Sequence, residues 1–502
     1  MRAFTAAPKG GRLRAMSAGR LALVVAVLCG SAALAAGCGA ATGSGGGAAG
    51  IVPASAPAFI AIDSDTGSSQ WQTADDLASR FPDRQKAIDS LKADLRKEGI
   101  DYDSEVKPAL GPEVDVVWLD FAHNGMDVVG LTQPGDEAAF ERLIAKGNAK
   151  DPSNKLVYEK VGDWEAFSDK QALLDRFVIE SAGSAPKLED DEAFKRAMDS
   201  VSGDSLVKAY VSGQRVMDEV TKYGGAGMAK LVDQAGTLEW LTAALRVSSD
   251  GVRFDTVVRG TPGKLLRRAY TTPSFHASLP EHVPGDALVY LGFHGAQGML
   301  GGLGGAPQVA GLQLRPVAGL LRSVGALLEG EGAVYARRPA SGRIPEITLV
   351  TEPRPGTDGV ATLDRILRKY RKQIGHRPKA AIFAGAPGRK LDLGPFQIDY
   401  ANVDGKFVLT DLPQGIASVR SPSATLSRSD TFKEAADASG LPSETQGFVY
   451  VDVQGGVALA QRLAHAPIPA AVARNLKPLR SAVEYAASRP SQVQVTFFLR
   501  IK

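Results

Sequence analysis

The side chain with the clearest chemical assignment is a thiol. The chain has two cysteines, Cys29 and Cys38. Cys38 ends the run Leu34-Ala35-Ala36-Gly37-Cys38, which resembles a lipobox: a small residue stands directly before the cysteine that takes the lipid. Ala35 stands where leucine is usual, and Leu34 lies one place early. That departure leaves two rival expectations open. Ordinary signal peptidase cleavage after Ala33-Leu34-Ala35 would release a soluble protein, and an uncleaved leader would act as an anchor helix. Under lipidation Cys29 is removed with the leader and Cys38 is blocked. The remaining chain then has neither a free thiol nor a disulfide, and its stability rests on packing.

The other chemistry-bearing residues do not assemble into a reaction. Ser-x-x-Lys occurs at Ser104/Lys107, Ser184/Lys187 and Ser205/Lys208, without the Ser-Asp-Asn and Lys-Thr-Gly companions that an acyl-enzyme site needs. No Gly-x-Ser-x-Gly is present. The six histidines are His123, His276, His282, His294, His376 and His465, and no pair has the i, i+4 spacing of a helical zinc site. His276, His282 and His294, with Glu281, are the nearest approach to a zinc set and read as solvent-facing loop and strand-edge residues. Gly301-Gly302-Leu303-Gly304-Gly305 lacks the Gly-Lys-Ser/Thr ending of a phosphate loop. Asp63-Ser64-Asp65 could begin a calcium loop, but Ser68 and Ala74 stand where that loop needs its glycine and its bidentate acid. Asp75-Asp76 and Asp101/Asp103 are further acid pairs, and Glu189-Asp190-Asp191-Glu192 reads as the acidic start of a helix. These readings predict no catalytic, cofactor or metal residue, and leave Cys38 as the one assigned site.

The elements around Cys38 are those of export. Leu21 to Ala36 carries no charge and follows a segment with Arg2, Lys9, Arg12, Arg14 and Arg20 and no acid. This is the pattern of a signal peptide over residues 1–37, and it is short for a spanning helix. Residues 39–50 are Gly and Ala with one Thr and one Ser. Together with Cys38 they read as a flexible tether over 38–50 with a reach of roughly 20 Å. The whole chain has 58 Lys and Arg against 55 Asp and Glu, but five of the basic residues precede Cys38, so the part beyond it holds 53 against 55. The apparent basicity belongs to the leader, and nucleic acid is not expected as a partner. The 502 residues, 44% hydrophobic and 23% charged, describe an ordinary globular protein with ample chain for a core.

Repetition organises the rest. Residues 56–63 (APAFIAID) match 285–292 (GDALVYLG), 139–143 (AFERL) match 362–366 (TLDRI), and 193–199 (AFKRAMD) match 431–437 (TFKEAAD). Residues 207–211 (VKAYV) match 447–451 (GFVYV), and 251–259 (GVRFDTVVR) match 492–500 (QVQVTFFLR). The offsets, 229, 223, 238, 240 and 241, drift as loop insertions would make them. Two α+β units are therefore expected, at 51–265 and 283–502, joined by a linker at 266–282. Each is read as antiparallel sheet with helices packed on one face.

Periodicity predicts strands at 57–63, 114–122, 126–132, 156–161, 164–168, 205–212, 240–248 and 252–259. Helices are predicted at 83–98, at 136–146 with Asp136 as cap and Gly147 as stop, and near 190–200. His123-Asn124-Gly125 predicts a tight hairpin turn. Residues 295–330 break the symmetry. They are apolar and glycine-rich, with Val317, Leu320, Leu321, Val324 and Leu328 on one helix face, and read as a helix pair on the sheet, a lid, or a cavity wall.

The Val52-Pro53 segment, the strand Phe59-Ile60-Ala61-Ile62, the Tyr210-Val211 and Tyr450-Val451 elements and the lipoprotein leader together resemble a bacterial domain-of-unknown-function family, the one numbered 3352. The resemblance spans roughly 51–502 and implies an envelope protein, with no activity or site residue to carry over. The expectation is a lipid-anchored protein on the extracytoplasmic face of the cell membrane, non-enzymatic, binding or structural, with an envelope protein as partner. The alternatives are a carrier or sensor of a lipid or other amphiphile, and an enzyme with an unfamiliar site.

Overall fold

The computed structural model describes residues 47–121, 125, 127–219, 221, 236–263, 273–295, 308–309, 312–313, 325–339, 345–394, 396–463 and 468–502. Cys29, Cys38, His123, His465, the loop 301–305, most of 295–330 and part of the expected linker lie outside the described residues. Among the described residues no helix is long and apolar enough to cross a membrane. The class is α+β with antiparallel sheet throughout the described strands. By contacts the chain divides into two compact units, Met1–Asp75 with Lys86–Lys195, and Asp76–Gln85 with Arg196–Lys502. This division is not the one at 265/283 that the repeats suggest.

The first unit holds β1 (Ala58–Asp63), β2 (Glu113–Trp118), β3 (Val128–Thr132), β4 (Val157–Val161) and β5 (Trp164–Ser168), in spatial order β1–β2–β3–β5–β4. Val114 to Val117 are all buried, as a strand covered on both faces requires. Two helices, α1 (Ser69–Ser79) and α2 (Arg84–Lys97), follow β1. Ile88 and Leu95 of α2 pack with Tyr102, Val106 and Val114. Helix α3 (Glu137–Lys150) starts where Asp136 accepts from the Ala139 N–H at 3.0 Å, and sets Phe140 and Ile144 against Phe167. It does not stop at Gly147. That glycine lies in open space with helical neighbours on both sides, and the Asn148 side chain fixes the helix end by bonding Leu156 N and O. Helix α4 (Gln171–Ala182) follows β5, and α5 (Glu192–Ser200) runs across the unit boundary after Lys195, with its Phe194 meeting Phe59 edge-on at 5.9 Å. Helices α1 and α4 are additional to those the periodicity predicts.

The second unit begins with β6 (Val207–Ser212), β7 (Gly236–Ser248), β8 (Gly251–Pro262) and β9 (Ala287–His294). There follow β10 (Glu331–Arg337), β11 (Glu346–Thr351), α6 (Gly359–Lys369), a short helix Arg371–Ile374, β12 (Lys379–Phe383) and β13 (Ala386–Asp392). The chain closes with β14 (Gln397–Val403), β15 (Lys406–Thr410), α7 (Pro413–Arg420), α8 (Asp430–Ser439), β16 (Gly447–Asp452), α9 (Val453–Leu463), β17 (Leu479–Arg489) and β18 (Gln492–Ile501). The strands form one antiparallel series, β6–β7–β8–β18–β17–β16–β9–β10–β11–β15–β14–β13–β12. Its core gathers Tyr290, Tyr335, Phe432, Phe448 and Tyr450, with Tyr290 stacked on Phe448 at 5.0 Å. Residues 273–282 of the expected linker pack against this unit. The buried Glu331 carboxylate accepts from Ser278 N, Ser278 Oγ and Leu279 N, and Leu279 is buried.

All five matched sequence pairs fall on elements of the same type: β1 and β9, α3 and α6, α5 and α8, β6 and β16, β8 and β18. Smaller details recur as well. Pro53 bridges Lys187, and Pro284 bridges Thr425. Leu188 N donates to Val52 O at 2.7 Å, and Leu426 N donates to Val283 O at 2.8 Å. All four of these apolar residues are buried.

Strands β8 and β18 pair antiparallel with Thr496 opposite Asp255, and these two positions are also equivalent at the repeat offset of 241. The ladder therefore has a two-fold register centred on them, with β7 and β17 flanking it as like strands. Asp255 is 2% exposed. It accepts from Thr496 Oγ1 at 2.7 Å, Arg246 Nη1 at 2.6 Å and Arg253 Nε at 2.9 Å. Arg253 in turn donates to Ser439 O and Tyr485 Oη, and Arg246 to the carbonyls of Val201 and Ser202. Removing one member of such a buried pair strands the opposite charge. Asp255→Ala should cost about 3–5 kcal/mol in urea unfolding, whereas Thr496→Val, which removes one neutral donor, should cost about 1 kcal/mol.

Candidate functional site

Most residues singled out for chemistry have structural work. Lys187 Nζ donates to the carbonyls of Glu180, Ser181 and Gly183 and so closes the end of α4. Ser104 is bonded to the Asp101 carboxylate by both N and Oγ. Lys208 lies on β6, and Ser205 precedes that strand. Asp191 accepts from Ala193 N and Phe194 N at the start of α5, as an acidic helix start should. Asp63 accepts from Ser68 Oγ at 2.5 Å and Asp65 N at 3.0 Å, and Asp65 accepts from Gly67 N at 2.8 Å, so these acids stabilise a turn. Among the described residues no group of three or more His, Cys, Asp or Glu is placed to hold a metal. His276 Nδ1 bonds Ser443 O at 3.1 Å, and the His294 ring lies against Phe275 at 5.3 Å.

The first unit does hold a group of acids. Register sets Asp63 opposite Glu113, and Glu113 and Asp115 share a face of β2. Asp115 is fully buried, and among the described residues neither of its oxygens meets a donor. Burial, and then the Glu113 carboxylate beside it, pushes its pKa well up. Burial also raises Asp63, to about 6, against the hydrogen bonds that oppose it.

A different arrangement appears on α6. Asp364, Leu367 and Arg368 follow one another at i, i+3 and i+4 on one face of α6, and Arg371 opens the short helix that follows the break at Tyr370. Beneath them β12, β13 and β14 set Ala380, Arg389 and Tyr400 in one cross-strand row. The Asp364 carboxylate ties the two layers, accepting from Arg389 Nε at 3.0 Å and Tyr400 Oη at 2.6 Å. Burial, then the bond to Asp364, raises the Tyr400 phenol, so it stays a donor. Gly375, left-handed at φ 75°, ends the short helix and turns His376, Arg377 and Pro378 back over the same space. The result is a cleft of about 430 Å³ lined by Asp364, Leu367, Arg368, Arg371, Arg377 and Arg389, among others.

Its charge is one-sided. Asp364 already engages Arg389, while Arg368, Arg371 and Arg377 are exposed and, among the described residues, without a carboxylate partner. The first unit shows the contrast. Between α3 and β4 there is only the loop 151–156, and Lys146 and Lys150 of α3 pair with Glu105 and Glu98. The cleft thus lies between α6, which α3 matches, and the chain from Arg371 to Asp392, which has no counterpart between α3 and β4.

The site carries no sequence motif, because guanidinium recognition has no fixed spacing. The signal was a charge run: residues 364–379 hold seven Lys and Arg against one Asp. No protein-family model, curated protein or solved structure matches the chain.

For the buried acids the sign follows from their raised pKa. Their contribution to stability is complete below the unfolded carboxylate value near 4 and is lost as pH rises through about 6 for Asp63 and higher for Asp115. Asp115→Asn, which keeps shape and removes the charge, should melt like the parent at pH 4.5 and higher than it at pH 8, by on the order of 1–3 kcal/mol. Equal melting at both pH values would show that Asp115 carries no such load.

Proposed function

We propose that this chain is a lipoprotein of the cell envelope, held on the extracytoplasmic face of the membrane by an acyl-bearing Cys38, and that it binds its partner without transforming it. The leader and the Gly- and Ala-rich stretch before residue 47 support the anchoring, and the resemblance to the domain-of-unknown-function family points the same way. The expected tether over 38–50 is too long at its far end: Gly47–Gly50 is a short 3-10 helix with Ala48 and Ala49 buried and Gly47 N donating to Glu113 Oε1 at 3.1 Å, because small side chains pack closely there, so these four residues belong to the folded unit. The recurring order of elements, with its paired Val52/Leu188 and Val283/Leu426 bonds, supports two diverged copies of one unit. Cys38 lies outside the described residues, so the anchor rests on sequence.

One observation carries the binding reading. A cleft of about 430 Å³, with four guanidiniums against a single carboxylate, lies between α6 and the segment in which the halves differ. That volume lies within the range of small-molecule sites. Arginines left without carboxylate partners at such a place serve recognition better than stability, since exposed like charges repel. A shared frame that carries a private insertion is how one unit acquires a site its sibling does not have.

The anchor and the binding face can be tested separately. Cys38→Ala should move the protein from the membrane fraction to the soluble fraction, and intact mass of the natural product should show residues 1–37 absent and acyl chains present. Membrane retention of Cys38→Ala with the leader still attached would replace the lipid anchor by an uncleaved helix.

A further inference from the structure

We infer that the arginine cleft of α6, β12 and β13 is a receptor for a phosphoryl group bearing close to two negative charges. The inference rests on the reading of the chain as a binding protein and supplies the class of ligand.

Once Asp364 is set against Arg389, three further guanidiniums line the same cleft without a carboxylate partner among the described residues. A carboxylate ligand would bring one charge to that set. A phosphate monoester brings about 1.5 to 2 charges at neutral pH and three strong acceptor oxygens. Geometry agrees. The planar guanidinium fork matches phosphate oxygens two at a time. Arg389 is held by Nε to Asp364, and its Nη1 also reaches Gly388 O at 3.3 Å, which fixes the plane of its fork before any ligand arrives. Ordering one of the four arginines in advance lowers the entropy cost of binding.

The lining is also two-sided. Leu367, Pro378 and Ala380 give the cleft an apolar part beside its cationic part. Ile382, two residues further along β12 and so on the same face as Ala380, is 77% exposed. A phosphate carried on an apolar body, such as the headgroup of an anionic phospholipid, would use both parts. A soluble phosphorylated molecule would use the arginines alone.

Calorimetric titration of the full chain in a non-ionic detergent, at fixed ionic strength, separates these outcomes. The probes are glycerol 3-phosphate, dihexanoyl phosphatidic acid and acetate. Glycerol 3-phosphate should bind saturably, and acetate at least about ten-fold more weakly. Arg371→Gln and Arg389→Gln should each weaken glycerol 3-phosphate by about ten-fold, the loss of one charge-assisted hydrogen bond. Arg371 is exposed and has no carboxylate partner among the described residues, so its replacement does not put folding at stake. Lys390→Gln removes the same charge from the neighbouring position of β13, which faces away from the cleft, and should leave binding unchanged. Phosphatidic acid binding about five-fold tighter than glycerol 3-phosphate would identify a lipid source, and equal binding a soluble one. No saturable heat with either phosphate, acetate binding as well as glycerol 3-phosphate, or Lys390→Gln weakening binding as much as Arg371→Gln would overturn the inference. None of these results depends on the fate of Cys38, so the anchor and the ligand class can fail independently.

Discussion

Asp255 and Thr496 meet across the β8–β18 ladder, and this contact organises the second unit. It sits where two like strands pair about a local two-fold register. A self-complementary ladder places each residue opposite the equivalent of its partner, and only the central pair faces its own equivalent. Here that pair is a carboxylate and a hydroxyl, which can bond each other, where two carboxylates would repel at burial. The charge on Asp255 is then matched by Arg246 and Arg253, whose remaining donors reach backbone carbonyls at 201–202 and 439. One buried charge therefore fixes the positions of three separate segments. The arrangement is conditional, because each arginine is stable there only while the carboxylate is present.

Around that join the frame is conservative and the additions are private. The paired strands, the Asp136 and Asp358 helix caps and the two bridged turns near Val52 and Val283 recur in both halves. The β12–β13 hairpin does not. It adds a layer beneath α6, and the Asp364 carboxylate fastens helix to hairpin through Arg389 and Tyr400. The same carboxylate that stabilises the addition also orients one arginine of the cleft. Arg368, Arg371 and Arg377 have no carboxylate partner among the described residues.

Much of the frame was legible from sequence because it follows local periodicity. The apolar runs at 57–63 and 164–168, the alternation at 252–259, and the amphipathic spacing of Ile88, Leu91 and Leu95 each mark one element, the strand at 164–168 being buried along its whole length. Boundaries that depend on tertiary partners were less legible. Helix α3 continues through Gly147 because Asn148 finds Leu156, which no local rule states. The arginine cleft escaped for a related reason. Net charge averages over the chain, and 53 basic against 55 acidic residues conceals a run in which cations prevail. Whether such a run forms a site depends on where its acids are, and among the described residues Arg368, Arg371 and Arg377 have no counterpart of the acids that pair Lys146 and Lys150. Asp115 is the converse case. Its position between apolar residues suggests a strand, but its proximity to Glu113 and Asp63 is a matter of register, known only once β1 and β2 are paired.

The measurement that bears most directly on this account is the register of the β8–β18 ladder. Phe254 and Phe497 are opposite each other and both exposed, at 45% and 38%. Phe254→Cys combined with Phe497→Cys should oxidise to an intramolecular disulfide, identified by peptide mapping, because directly opposed side chains lie within reach of one another. Phe254→Cys combined with Val495→Cys or Leu499→Cys, each displaced by two residues, should not. Preferential bridging in either displaced pair would contradict the Asp255–Thr496 join and the two-fold register built on it.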